Sequence, residues 1–254
     1  MSNELRITDN GTGFDDVRVA ITGGTSGLGL ALVGELLRRG ARVAFVARTR
    51  ERVDAVAHAY PGTHGIVGDV ARKHDIYPIA LQVTATLGGL DVLVNNASSL
   101  GPTPLVLLAD TECEDFALAL DTNVLGPFRL TKALLGALTG SAREGRGSVV
   151  LNVSSDAAFN PYAGWGAYAA SKAALHHMTR IWDRELEAEG VRFLSIDPGD
   201  MDTPLHALAV PDADRTTLER PDVAASRLAD AIAEALTQGR AARTPEPDIV
   251  EMRS

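Results

Sequence analysis

A short β-rich run, Val17-Arg18-Val19-Ala20-Ile21-Thr22, flows directly into Gly23-Gly24-Thr25-Ser26-Gly27-Leu28-Gly29. An apolar helical pattern follows through Leu28, Ala31, Leu32, Leu36 and Leu37 and stops at Gly40. Strand, glycine-rich turn and helix form the context in which a glycine motif can serve a dinucleotide. Backbone N–H groups at the helix start, with the positive end of its dipole, hold a pyrophosphate. The glycines here are Gly23, Gly27 and Gly29 rather than the G-x-G-x-x-G form, and an ordinary tight strand-to-helix turn would use such glycines too.

The same alternation continues along the chain. Residues 42–47 read as a buried strand, 49–58 as a helix, 64–68 as a third strand and 72–87 as a helix. A fourth strand, 90–94, leads through a loop with Gly101, Pro102 and Pro104 to one long helix over 111–138. Residues 148–153 are a fifth strand, 165–189 a helix, and 191–196 a sixth strand, while residues 247–252 allow a seventh. Strands separated by helices imply a parallel sheet covered on both faces. The expected fold is therefore α/β, a doubly wound parallel sheet of six to seven strands. It forms one domain over 17–254 after a lead-in over 1–16, with a substrate lid at about 200–221.

Tyr168 and Lys172 lie four residues apart on the last long helix, so they share a face. A free tyrosine, with a pKa of about 10, carries almost no phenolate at neutral pH. A nearby ammonium favours the ionised phenol and draws its pKa toward the operating pH. Lowering it by roughly three units needs about 4 kcal/mol of differential stabilisation, which asks for a cationic cofactor ring as well. Ser155, at the end of the fifth strand, would bind the substrate oxygen, and Ser154 beside it competes for that assignment.

Taken together these motifs resemble the short-chain dehydrogenase/reductase superfamily, from about Asp15 to about Leu236. The cofactor motif of that family matches Thr22 to Gly29, and its Asn-Asn-Ala-Gly motif matches Asn95-Asn96-Ala97-Ser98, with serine in place of the glycine. The resemblance implies a Rossmann-like fold, catalytic Asn123, Ser155, Tyr168 and Lys172, and cofactor contacts at Gly23, Thr25, Ser26, Gly27, Leu28, Gly29, Asn96 and Ala97. It adds Pro198, Gly199 and Thr203 beside the nicotinamide, with Tyr168 and Lys172 on its ribose. Asn123 is expected to anchor a water that returns protons through Lys172. Asp69 and Val70 resemble the family's adenine contact, although Asp69 equally suits a helix N-terminus. A homodimer or homotetramer is implied, through helix faces bearing Leu118, Val124, Phe128, Leu175, Met178 and Ile181, which the sheet could cover instead.

The choice of cofactor turns on the end of the second strand. An acidic residue binding the adenine ribose should stand about 20 residues after the glycine turn. Ala47 holds that place and Arg48 follows, so a 2′-phosphate would find a charge-assisted partner. NADP is expected ahead of NAD, while Arg50 and Arg52 read as a solvated helix face.

With 254 residues, 45% of them hydrophobic, the chain can bury a large core. A net charge of −9 disfavours nucleic acid and anionic membranes as partners, and no run approaches the roughly 18 apolar residues of a membrane span. The polar start does not read as a targeting segment, and the single Cys113 suits a reducing cytoplasm, where the protein is expected. No metal site is expected, since His176 and His177 point to different helix faces. The expected activity is hydride transfer between a nicotinamide cofactor and a small carbonyl or alcohol substrate. Ser99, Asp156, Phe159, Trp165, Asp200 and Met201 are candidates for the substrate pocket. The alternative is a non-catalytic dinucleotide sensor or scaffold on the same fold, which would not require Ser155, Tyr168 and Lys172 together.

Overall fold

Six strands are laid side by side: β1 (Arg18–Thr22), β2 (Arg42–Ala47), β3 (His64–Val67), β4 (Val92–Asn95), β5 (Ser148–Val153) and β6 (Val191–Ile196). The computed structural model describes residues 13–241, and within them the sheet order is β3-β2-β1-β4-β5-β6. All pairings are parallel, with Ala20 of β1 opposite Ala44 of β2 on one side and Leu93 of β4 on the other. The helices are α1 (Gly27–Arg38), α2 (Arg50–Ala59), α3 (Ile76–Leu87), α4 (Cys113–Leu120), α5 (Gly126–Arg143), α6 (Gly166–Leu186), α7 (Pro204–Ala209) and α8 (Pro221–Ala241). This is the doubly wound, Rossmann-like α/β arrangement.

Alternation along each strand sends side chains to two separate cores. Val19, Ile21, Val43, Phe45, Val92, Val94, Val149 and Leu151 pack with α1, α2 and α8. Ala20, Ala44, Val46, Leu93 and Val150 pack with α3, α5 and the end of α6. Because both faces are covered, the strands read as continuous apolar runs rather than as an alternation.

Residues 221–241 had no element assigned by sequence reasoning, yet α8 packs beside α1 against β5 and β6. Its buried side chains, Ala224, Ala225, Leu228, Ala229, Ile232, Ala235 and Leu236, recur at helical spacing. The small alanines bring its backbone close to α1. Truncating Ile232, fully buried, to alanine is expected to cost about 2–5 kcal/mol. A urea midpoint lowered at constant slope would show it, whereas an unchanged midpoint would mean that α8 is not part of the core.

Other boundaries move for local reasons. The expected helix over 111–138 is broken by a π-type turn at Asp121–Leu125, where the Gly126 N–H donates five residues back to the Asp121 carbonyl. Pro127 has no N–H to give the Asn123 carbonyl, so the α register cannot run through this point. β4 begins at Val92 rather than at residue 90, because Asp91 is drawn into an ionic cluster before the strand. The lead-in also tightens before residue 17: Phe14 is fully buried and its carbonyl accepts from the Val17 N–H at 3.0 Å. The seventh strand at 247–252 lies outside the described residues. No helix among the described residues is long and apolar enough to cross a membrane.

Candidate active site

Between β1 and β4 the strand order reverses, and ligands in such sheets bind beyond the carboxyl ends at that point. A cavity of about 1120 Å³ lies there. Every expected catalytic and cofactor residue lines it except Asn123, which stands just behind its wall.

The floor is the glycine turn. Gly23 has φ 72°, a conformation costly for other residues, and a side chain there would press on Asn96 and Ala97. A Cβ on Gly29 would overlap the Gly23 carbonyl oxygen, so only glycine lets α1 start so close to the turn. Asn96 locks this arrangement rather than facing a ligand alone. Its Nδ2 donates to the Thr22 carbonyl at 2.9 Å, and the Asn96 and Ala97 N–H groups both donate to Thr22 Oγ1 at 3.0 Å.

At the β2 end, Arg48 is exposed and makes no ion pair among the described residues. Arg52, read from sequence as a solvated residue, lines the cavity beside it, whereas Arg50 does not. Asp69 does not cap a helix, since the next helical turn begins at Lys73 with Arg72 before it. It lines the cavity, and its Oδ1 accepts from the Ala71 N–H at 3.0 Å to shape the turn after β3.

At the other end stand Ser155, Tyr168 and Lys172. Ser155 Oγ donates to Asp156 Oδ1 at 3.1 Å and accepts from the Ala157 N–H at 3.2 Å. Tyr168 is 7% exposed and Lys172 is 2% exposed. Burial pushes the Tyr168 phenol up to about 12, against the opposing hydrogen bonds of Ser155 and Ser98, while Asp197 and Asp156 add to the rise. Lys172 by itself does not reverse this. Its Nζ lies 5.4 Å from the Tyr168 ring centre and donates to the Val153 carbonyl at 2.8 Å. Burial pushes the ammonium itself down to about 8, with Asp197 opposing.

Asn123 is 1% exposed and its amide is saturated. Oδ1 accepts from the Ser99 N–H at 2.8 Å and Ser98 Oγ at 3.2 Å, and Nδ2 donates to the Ser99 carbonyl at 2.7 Å and Ser171 Oγ at 2.8 Å. The side chain therefore clamps the loop after β4 to α6, and no side-chain atom is left for a water.

A profile described as short chain dehydrogenase matches residues 18–214, spanning this sheet and this cavity. The chain belongs to the short-chain dehydrogenase family. An uncharacterized oxidoreductase of Staphylococcus epidermidis is 30% identical over 220 residues, covering 86% of this chain and 90% of its own length. A short-chain dehydrogenase from Burkholderia cenocepacia, solved in complex with NADP, has a TM-score of 0.77 at 27% identity, covering 86% of this chain and 91% of its own. A 3-ketoacyl-(acyl-carrier-protein) reductase from Brucella melitensis, complexed with NADH, has a TM-score of 0.79 at 26% identity, covering 89% and 93%. The family thus brings an oxidoreductase fold that takes either nicotinamide cofactor.

Within this short-chain dehydrogenase, sequence reasoning named Ser154 only as a rival to Ser155 and missed Tyr162 as a wall residue. Ser154 is 4% exposed, lines the cavity, and its hydroxyl has no partner among the described residues. Tyr162 also lines it and donates to Asp156 Oδ2 at 2.6 Å. Leu205, Leu208 and Val210 supply an apolar wall from α7 and the turn after it. Thr203 caps α7 through the His206 N–H at 3.2 Å, while Asp202 pairs with Arg215 at 2.8 Å. Of the expected pocket residues, Ser99, Asp156, Trp165, Asp200 and Met201 line the cavity. Phe159 does not: it is 64% exposed and packs edge-on against His176. His176 also bonds Ser195 Oγ at 2.9 Å, so it is not a free surface histidine.

Proposed function

We propose that this chain is a carbonyl reductase or alcohol dehydrogenase using NADP in preference to NAD, with Tyr168 as the general acid and base. The observation that carries the reading is the convergence of a glycine floor, the Ser155 hydroxyl and the Tyr168 phenol on one cavity. The wall suits a dinucleotide: the glycine turn offers backbone N–H groups, and buried Ser154 offers a hydroxyl without a protein partner. Gly23 to Gly29, Asn96, Ala97, Asp69, Val70, Pro198, Gly199 and Thr203 would hold it, with Arg48 and Arg52 meeting a 2′-phosphate. When bound, the nicotinamide supplies the hydride for reduction or accepts it in oxidation. Ser155 orients the carbonyl oxygen, and Tyr168 gives that oxygen its proton. Lys172, fixed on the Val153 carbonyl, holds its ammonium beside the phenol. A water relay at Asn123 would use its backbone carbonyl, since its side chain is saturated. Residues 200–221 act as the lid, tied at the base by the Asp202 N–H to the Glu219 carbonyl at 2.9 Å. Exposed Leu118, Leu125 and Ile181 on α4, the π turn and α6 favour a homo-oligomer, whereas Leu175 faces inward.

Calorimetric titration with NADPH and NADH tests the cofactor. NADPH is expected to bind at least about tenfold tighter, roughly 1.4 kcal/mol, with the margin lost in Arg48→Ala. Equal or tighter NADH binding would overturn the NADP preference, and failure of both to bind would overturn the enzymatic reading.

A further inference from the structure

Trp165 stands three residues before Tyr168 at the start of α6, so the two rings share a face of the helix. Their centres lie 5.7 Å apart at 65°, and Tyr162 meets the indole edge-on at 6.4 Å. Leu205 and Ala209 of α7 pack against the same small cluster of Leu100, Ala157 and Tyr168, but are only partly buried by it. The wall continues through Leu208 and Val210, which are 54% and 38% exposed and yet line the cavity. Single apolar residues on an outer surface are ordinary. An apolar wall inside a concave site, beside the proposed proton donor, is surface that a ligand covers.

The charges narrow the kind of ligand. Of the cations lining the cavity, Arg48 and Arg52 stand beyond β2, Lys172 is bound to the Val153 carbonyl, and His206 faces Asp200 at 3.9 Å. No other cation lines it among the described residues, whereas Asp156, Asp197, Asp200 and Asp214 all do. Such a wall repels an anionic substrate. It is no cation site either, because these carboxylates are already engaged. Asp156 accepts from Ser155 at 3.1 Å and Tyr162 at 2.6 Å, Asp197 from the Gly199 N–H at 3.0 Å, and Asp214 from the Thr216 N–H at 2.9 Å. What remains open is apolar and aromatic. We propose that the substrate is an uncharged ketone bearing an aromatic ring, or the matching alcohol, with the ring taken up by Trp165 and the α7 wall. The proposal rests on the carbonyl-reductase reading above. An aromatic group is favoured over an aliphatic one by the edge-on series of Tyr162, Trp165 and Tyr168, since aromatic pairs gain beyond the area they bury.

Saturation-transfer NMR titrations of the full chain with NADP⁺ or NAD⁺, whichever binds tighter, read ketone binding without turnover. Acetophenone is expected to bind about three- to tenfold tighter than cyclohexyl methyl ketone. It should bind at least about tenfold tighter than 4-acetylbenzoate, which adds only a carboxylate. Trp165→Ala should abolish the preference over the cyclohexyl ketone, and Trp165→Phe, which keeps a ring, should retain it. Leu208→Asp, at an exposed side chain outside the buried cores, should weaken acetophenone binding about tenfold. Melting temperature and cofactor affinity, measured alongside, report whether each variant is folded. Equal binding of acetophenone and either comparison ketone overturns the proposal, as does an unchanged preference in folded Trp165→Ala or unchanged acetophenone binding in folded Leu208→Asp. Acetophenone that binds with this selectivity but is not reduced by the wild type with reduced cofactor instead overturns the carbonyl-reductase reading, so the two failures are told apart.

Discussion

Tyr168→Phe is expected to lower kcat/KM for carbonyl reduction about 10²- to 10⁴-fold. The substitution removes only the hydroxyl. The ring keeps its edge-on contact with Trp165, at 5.7 Å between centres, and its place beside Leu100 and Ala157. Burial pushes the phenol up to about 12, so at neutral pH it carries the proton that reduction must deliver. The rate of reduction should accordingly be flat through neutral pH. A decline is expected from about pH 8 upward, where Lys172, pushed down to about 8 by burial, loses its charge. Steady-state kinetics with a ketone panel would read both effects, and undiminished turnover in the variant would remove Tyr168 from the mechanism.

Asp91→Ala should be as damaging to stability as Tyr168→Phe is to rate. Asp91 is 1% exposed and lies at the amino-terminal edge of the sheet, away from the cavity. Arg18 grips it with Nη2 at 2.7 Å, Nε at 3.1 Å and its backbone N–H at 2.8 Å. Arg146 adds Nε at 3.1 Å and Nη2 at 3.0 Å, and Ser141 Oγ donates as well. One carboxylate thus ties together the starts of β1, β4 and β5 and the end of α5. Removing it leaves two arginines partly buried without their counter-charge, a loss of about 3–5 kcal/mol. The melting temperature should fall by roughly 6–20 °C, while turnover of the folded variant at low temperature should be near wild type.

The pH dependence of that stability has a definite sign. Burial pushes the Asp91 carboxyl up, but the hydrogen bonds from Arg18, Arg146 and Ser141 outweigh it and hold the group well below the usual carboxylate range. A carboxylate depressed in the folded state contributes fully above its unfolded pKa of about 4 and loses that contribution as pH falls through the folded value. The gap in melting temperature between wild type and Asp91→Ala should therefore be constant from about pH 5 to 7 and narrow below about 4. A constant gap down to pH 2 or so would contradict the ion-pair account.

Much of this protein was legible in its sequence because the relevant physics is local. β1, the glycine turn and α1 follow from neighbouring residues, as do the bounds of β5 and β6 and the shared face of Tyr168 and Lys172. Those patterns extended to the glycine floor, to Ser155 at a strand end and to Arg48 at the rim. What escaped depended on partners far along the chain. Asp91 read as one polar residue within an apolar strand, and only the parallel pairing of β1, β4 and β5 brings Arg18 and Arg146 to it. Pro127 passed unnoticed inside the expected helix over 111–138, and its effect on Asn123 emerges only where α4 and α5 meet. The alanine-rich repeat of α8 gained meaning once α1 was seen to lie against it.

The sequence by itself determined the alternation of strands and helices, the glycine turn and the shared face of Tyr168 and Lys172, since spacing along a strand or helix converts directly into a shared face. Tertiary structure alone decided that Asn123 clamps the loop after β4 to α6 and that Tyr168 and Lys172 are buried. Hydrogen-bond saturation and desolvation depend on which distant atoms crowd a group, and sheet order β3-β2-β1-β4-β5-β6, rather than any local pattern, chooses those atoms.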